Sequence, residues 1–290
     1  MSDPMRLRWR LFVIPPLLVS FVLFVAPQVA FLRGSFFRNL GFGQVGPDLT
    51  LENYVRFVTD GFYQAALART AGLSLAAALL ALLLGFPIAY RLARARTRWR
   101  SFWLTLLIAS SLITVVIKAL GMMILLSAHG PVNLALQALG VPGAPLPLLN
   151  NEVGVLAGLV HYILPLVVLT LFGVIQTIPE SLEAASRSLG ATGWRTVRRV
   201  VLPLALPGLV AAGLMGFNLA MGAFTSTALL GGGRVLTLPV LIQRKAVLEG
   251  DYPFAATLAL VLVLSGVVVN LIVLRSVARP RHLAVAGAGS

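Results

Sequence analysis

Few side chains in this 290-residue sequence are equipped for chemistry. It has no cysteine, which excludes disulfides, thiolate nucleophiles and cysteine-based metal sites. His129, His161 and His282 lie in separate segments without ligand spacing, so no metal site is expected. The two lysines, Lys118 and Lys245, follow Ile117 and Arg244, which leaves no Gly-Lys pair for a phosphate-binding loop. The chain is therefore not expected to be an enzyme: no catalytic residue and no bound cofactor is read from it. What remains is electrostatics, concentrated in two places. One is Lys118, alone within an apolar run. The other is a polar, basic segment at 179–203, PESLEAASRSLGATGWRTVRRVVLP.

That segment has the marks of a docking element. It opens at Pro179 and carries Glu180 and Glu183 in what becomes a first helical turn, where carboxylates oppose the positive end of the helix dipole. Gly190 and Gly193 bracket a small-residue turn with Ala191, and Trp194, Arg195, Arg198 and Arg199 follow before the apolar run resumes at Leu202 and Pro203. A short exposed helix, a glycine turn and a basic second arm form a knob that projects from whatever holds it.

What holds it is membrane-like. Hydrophobic residues make up 58% of the chain and charged residues 11%; soluble domains carry roughly a quarter charged. Six runs reach the roughly 20 apolar residues that span a bilayer core, at about 11–32, 65–90, 102–127, 153–178, 201–224 and 254–274. The expected fold is all-α, a single membrane domain over 1–290 with six transmembrane helices and the loop 179–200 between the fourth and fifth. Barrel strands would show short alternating segments instead. Arg6, Arg8 and Arg10 precede a run that is too long for a signal peptide and lacks a small-residue cleavage site, so a retained first helix is expected.

Of the 23 basic residues, 15 fall at the amino end, in 91–101, in 179–200 and in the tail from 275, opposed by Asp3, Glu180 and Glu183. By the positive-inside rule that face is cytoplasmic and both termini lie inside. The net charge of +14 is thus a topology signal and does not point to nucleic acid. Membrane lipid is the expected partner of Arg91, Arg94, Arg96, Arg98 and Arg100. The external loops, 33–64, 128–152 and 225–253, suit covers for a channel mouth and are too small for a receptor domain. In the first of them, LTLENYVRFV reads as a short interfacial helix.

Two polar residues within the runs are candidates for a translocation pathway. A lysine at the bilayer centre costs roughly 2.5 to 3.5 kcal/mol even on the milder scale, so Lys118 either meets a substrate or serves as a structural cation toward a wet cavity or a subunit interface. Asn218, with Gly213, Gly216 and Gly222 nearby, either lines a pathway or bridges two closely approaching helices. His161 and Tyr162 read as interfacial anchors. All nine acidic residues lie in loops or at the amino end, so the buried acids a gradient-driven carrier needs are missing. A secondary transporter, or a membrane scaffold without transport, is the alternative to a pathway driven by an external motor.

The segment 179–203 resembles the EAA loop of bacterial ABC-importer permeases, in Glu183-Ala184-Ala185, Gly190-Ala191 and Val200-x-Leu202-Pro203, with Leu189 and Trp194 between. Glu183 stands one residue farther from Gly190 than the motif glutamate, and Ala184 takes that position; one residue turns a helix by about 100°. LTLENYVRFVTDGFYQAALARTAGLSL, LGFPIAYRLARAR, KALGMMILLSAHGPVN and ALLGGGRVLTLPVLIQRKAVLEGDYPFAATLAL extend the likeness over 49–274, and resemble the spermidine/putrescine-type group, with Lys118 where an Arg is usual. The resemblance implies a type I importer (MetI-like) fold in the bacterial cytoplasmic membrane and a coupling role for the loop. It also implies a second homologous permease subunit, two cytoplasmic ATPase subunits that bind the ATP, and an extracytoplasmic solute-binding protein. The implied cargo is a polyamine, an opine or a similar amine-containing solute, although related permeases also serve ferric iron and thiamine.

The charge distribution sets a topology test. Reporters fused near Gly46 and after Ser290 are expected on opposite sides of the membrane, and finding both on one side would refute the assigned orientation.

Overall fold

The computed structural model describes residues 3–41 and 43–278, and the side chains of 13–41 and 43–276. Arg6, Arg8, Arg10, Arg279, Arg281 and His282 lie outside the described side chains. The chain divides into two compact units, Met1–Gln64 with Leu241–Val263, and Ala65–Val240 with Leu264–Ser290.

The first unit opens with α1 (Asp3–Gly34), which contains Pro15, Pro16 and Pro27. An antiparallel hairpin follows, β1 (Phe37–Gly41) with β2 (Gln44–Leu49), and then α2 (Glu52–Thr59). The hairpin is not foreseen by the sequence reading. Its turn uses Gly41 and Gly43, both at positive φ, where a side chain would strain the backbone. Asn53 of α2 ties the unit together, its amide donating to the carbonyls of Ser35 at 3.0 Å and Phe37 at 2.9 Å. Arg56 pairs with Asp251 at 3.3 Å while its guanidinium lies 4.1 Å from the Phe254 ring centroid, stacking a cation on an aromatic face.

The second unit is helical. It takes most of α3 (Gly61–Arg94), then α4 (Arg98–Leu112), α5 (Val115–Leu126), α6 (Pro131–Ala138) and α7 (Glu152–Ile175). After α7 come α8 (Glu180–Ser188), α9 (Gly193–Thr196), a π-helical turn at Val197–Val201, and α10 (Leu202–Met221). The unit goes on through α11 (Phe224–Gly231) toward α12 (Leu238–Gln243), and α13 (Tyr252–Ala278) closes the described chain. Among the described residues six helical segments are long and apolar enough to cross a membrane.

The centre of this unit is α7. Val155, Leu159, Ile163, Val167, Leu171 and Ile175 recur every fourth residue, all at most 2% exposed, and form a bulky rib. Small residues lie against it. Ala77, Ala81, Gly85, Ala89 and Ala93 give α3 a stripe at the same spacing, and a Cβ on Gly85 would come 3.2 Å from Val167 Cγ1. On α10, Ala205, Gly208, Ala212, Gly216 and Ala220 do likewise, and a Cβ on Gly208 would come 2.6 Å from Val174 Cγ1. In lipid, where apolar burial does not drive helices together, such close approach and dispersion contact are what hold them.

The run 102–127 is not one helix, which corrects the sequence expectation. The chain becomes extended at Ile113 and Thr114, and the Thr114 side chain accepts from Ile117 N at 3.5 Å to start α5 anew. Hydropathy reads both sides of this break as one apolar stretch, because a threonine cap adds only one polar side chain.

Volume at the α7–α10 contact is testable. Gly208→Val is expected to lower stability by about 1 to 3 kcal/mol through overpacking, whereas Gly173→Ala, whose Cβ meets nothing within 4 Å, is expected to be neutral. Thermal unfolding in detergent of the two variants distinguishes them; equal midpoints would contradict the packing account.

Candidate functional site

The knob expected from the sequence forms as a helix, a glycine turn and a second arm. Helix α8 ends in a paired cap: Ala191 N donates to Ser186 O at 3.1 Å and Gly190 N to Arg187 O at 2.9 Å. Gly190 takes φ of 82°, the left-handed residue that this type of helix ending requires. Thr192 caps α9 by accepting from Arg195 N at 3.4 Å, and the hydroxyls of Ser186 and Thr196 meet at 3.1 Å across the turn. The π-helical turn then delivers the chain to Leu202 and Pro203 at the start of α10.

The two glutamates pair with arginines at the end of α3 and just beyond it, Glu183 buried and Glu180 exposed. Glu183 is 2% exposed. Its carboxylate accepts from Arg94 Nε at 2.7 Å and from the Tyr90 hydroxyl at 2.7 Å, both on the last turns of α3. Arg94 also donates to the carbonyl of Ile178 at 3.0 Å, so one guanidinium holds both the helix and the chain entering it. Glu180 pairs with Arg96 at 2.5 Å nearer the surface, and Arg100 reaches Gln176 at 3.3 Å while lying 5.1 Å from the Phe172 ring centroid. Charge-assisted bonds in such a poorly solvated place are stronger and more directional than neutral ones.

Glu183 is not a solvated first-turn acid: buried, it latches α8 to α3. The lipid reading of the arginines is corrected for Arg94, which is taken by the buried Glu183, while Arg96 stays exposed beside Glu180. Tyr90 and Arg94 are the members that sequence reasoning missed. The only signal was a row of arginines in 91–100 set against two acids in 179–200, and nothing in the sequence says which pairs with which.

The opposite face of the knob is open. Leu182 is 44%, Leu189 89% and Trp194 74% exposed, with Ala184 and Ala185 exposed beside them. Trp194, Arg195, Arg198 and Arg199 line a cavity of about 360 Å³. A surface of small and large apolar groups with a basic flank, rigidly held from behind, is equipped to dock a protein with an acidic rim.

The pathway candidates lie apart from the knob. Lys118 is 9% exposed in the first turn of α5, with Nζ 6.0 Å from the Tyr162 ring centroid. Asn218 and Asn270 exchange amide hydrogen bonds at 3.2 and 3.3 Å, joining α10 to the second half of α13. Tyr162, Asn218 and Phe224 are among the walls of a cavity of about 300 Å³, so the structure brings Asn218 close to the ring that Lys118 faces. Tyr162 thereby joins the pathway candidates, where the sequence reading made it an anchor. Among the described residues no group of three or more histidines and acids is placed to hold a metal.

Residues 81–282 match the family model described as "Binding-protein-dependent transport system inner membrane component". The chain is 30% identical over 243 residues to the spermidine/putrescine transport system permease protein PotB of Haemophilus influenzae, covering 84% of each. It is 33% identical over 242 residues to PotB of Escherichia coli, covering 83% of this chain and 88% of the relative. Its fold is similar to a chain in the crystal structure of a bacterial ABC transporter involved in import of the acidic polysaccharide alginate, with a TM-score of 0.74, 19% identity, and coverage of 94% and 96%.

The latch yields a graded prediction. Glu183→Ala leaves Arg94 without its buried counter-charge and is expected to cost about 3 kcal/mol or more; Glu183→Gln, which keeps a hydrogen-bond acceptor, should cost less. Thermal unfolding and the rate of tryptic cleavage after Arg187 report the loosening. Wild-type rates in Glu183→Ala would contradict the latch.

Proposed function

The chain belongs to the family of binding-protein-dependent transport system inner membrane components, and from that premise we propose how its parts divide the work of import. It is a multi-pass permease subunit of an ABC importer in the cytoplasmic membrane. In our reading it forms half of a translocation pathway, completed by a second homologous permease, driven by two cytoplasmic ATPase subunits, and supplied by an extracytoplasmic binding protein. The cargo is a polyamine or similar small amine-containing solute, as the names of the relatives suggest.

The observation that carries the coupling role is the two-sidedness of the knob. Its inner face is fixed to the end of the second span through Arg94, Tyr90 and Glu183, and its outer face offers Leu182, Ala185, Leu189 and Trp194. An ATPase that grips the outer face and moves on nucleotide binding pushes α3 through the inner one. Because α3 packs small residues against the α7 rib, displacement at its end is passed on as motion of a rigid body. Lys118 with Tyr162, and Asn218 with its cavity, are the groups we assign to the pathway wall. An aromatic face suits an amine cargo, and the buried lysine repels a bare cation at short range, so the pair offers passage without a deep binding well.

Gly190→Pro tests the assignment, because proline cannot adopt the positive φ at that position. The variant is expected in the membrane at normal levels, with uptake and cargo-stimulated ATP hydrolysis lost. Retention of both activities at normal assembly levels would overturn the coupling role.

A further inference from the structure

Beside the latch, on the outer side of α3, the structure holds a groove with no assigned role. It lies between the end of α3 and the start of α4 and has a volume of about 570 Å³, within the range of small-molecule sites. Ile88, Leu92, Leu106 and Leu107 make its apolar wall, Trp99 and Trp103 stand one turn apart on α4, and Arg91 and Arg100 also line it. We infer that this groove is a binding site for one anionic phospholipid, its phosphate between Arg91 and Arg100 and an acyl chain along the Trp103 and Leu106 wall.

Four observations select that occupant. The groove opens at the end of the span that carries the basic 91–100 loop, the face where anionic headgroups meet a membrane protein. Its two tryptophans, 67% and 48% exposed, have the amphipathic rings that settle at headgroup depth. Arg91 has no ion pair among the described residues, although Arg94 and Arg96 next to it are engaged by Glu183 and Glu180. Arg100 is held in place by Gln176 and the Phe172 ring, which leaves its charge uncancelled. A small free anion would make no use of the apolar wall, and an acidic protein segment would have to reach into the hydrocarbon edge. A phospholipid satisfies both ends of the groove at once.

The site lies next in sequence to the arginines of the latch. The last turn of α3 and the short connection to α4, which supply Arg91, Ala95 and Thr97 to the groove, also carry Arg94 and Arg96, the two arginines that pair with α8.

The tryptophans supply the readout. In the transporter complex purified with its partners, the signal of Trp99 and Trp103 is the difference between the unaltered complex and the same complex carrying Trp99→Phe and Trp103→Phe, which supplies the background from Trp9, Trp194 and the partner subunits. After reconstitution, quenching by brominated phosphatidylglycerol is compared with that by brominated phosphatidylcholine. A preference for the anionic lipid of at least roughly fivefold is expected, the gain per arginine at an anionic surface. Arg91→Gln with Arg100→Gln should abolish the preference at an unchanged melting temperature, whereas Arg98→Gln, outside the groove, should keep it. Equal quenching by both lipids, or loss of the preference in Arg98→Gln as well, would reduce the effect to the general surface field and overturn the site. Absence of quenching by either lipid would show the groove covered by protein and overturn it too.

Discussion

A carboxylate buried at the membrane edge and gripped by an arginine and a tyrosine from a helix far away in sequence is the constraint on which the working parts depend. Glu183 without Arg94 would be an unpaired charge in a poorly solvated place, and Arg94 without Glu183 would be the same with the sign reversed. Neither helix end can move without the other, since separating them exposes that penalty. The polar contact therefore serves less to add stability than to fix one relative position. The exposed face of α8 is presented in a set orientation because its back is not free to turn.

Rigidity farther inside has a different origin. The α7 rib is made of branched and bulky side chains on a four-residue repeat, and both neighbouring helices meet it with alanine and glycine. Backbones come close, many atoms touch, and few alternative packings exist. An ion pair at the end of α3 and a close-packed stripe along its length make that helix suited to act as a lever: one fixes the handle, the other keeps the shaft from bending.

Much of this is legible in the sequence, and the exceptions share a cause. Apolar runs of sufficient length reveal the spans, and the glycine between Leu189 and Ala191 announces the end of α8, because these are local properties of backbone and solvent. The latch is not local: two acids in a first turn look the same whether they serve the helix dipole or an arginine some ninety residues earlier. The break at Ile113 and Thr114 escapes for the opposite reason, being so local that one hydroxyl restarts a helix inside a run that hydropathy treats as uniform. It also changes the meaning of Lys118, which stands in the first turn of a new helix, where the dipole opposes its charge, and not in the middle of an old one. The hairpin of the first unit was hidden by its irregular register and glycine turn, which leave no clean alternation to read.

The latch has a consequence for how the protein is made. Arg94 leaves the ribosome long before Glu183, the two lying 89 positions apart. While the first two spans enter the membrane, Arg94 and Arg96 are bare cations and hold the second span's exit on the side of synthesis. When the later loop emerges, its acids cancel the same charges and draw the loop onto that span. One set of side chains thus acts twice in order, first as an address read during insertion and afterwards as a fastening, and the second use begins only once the first is finished.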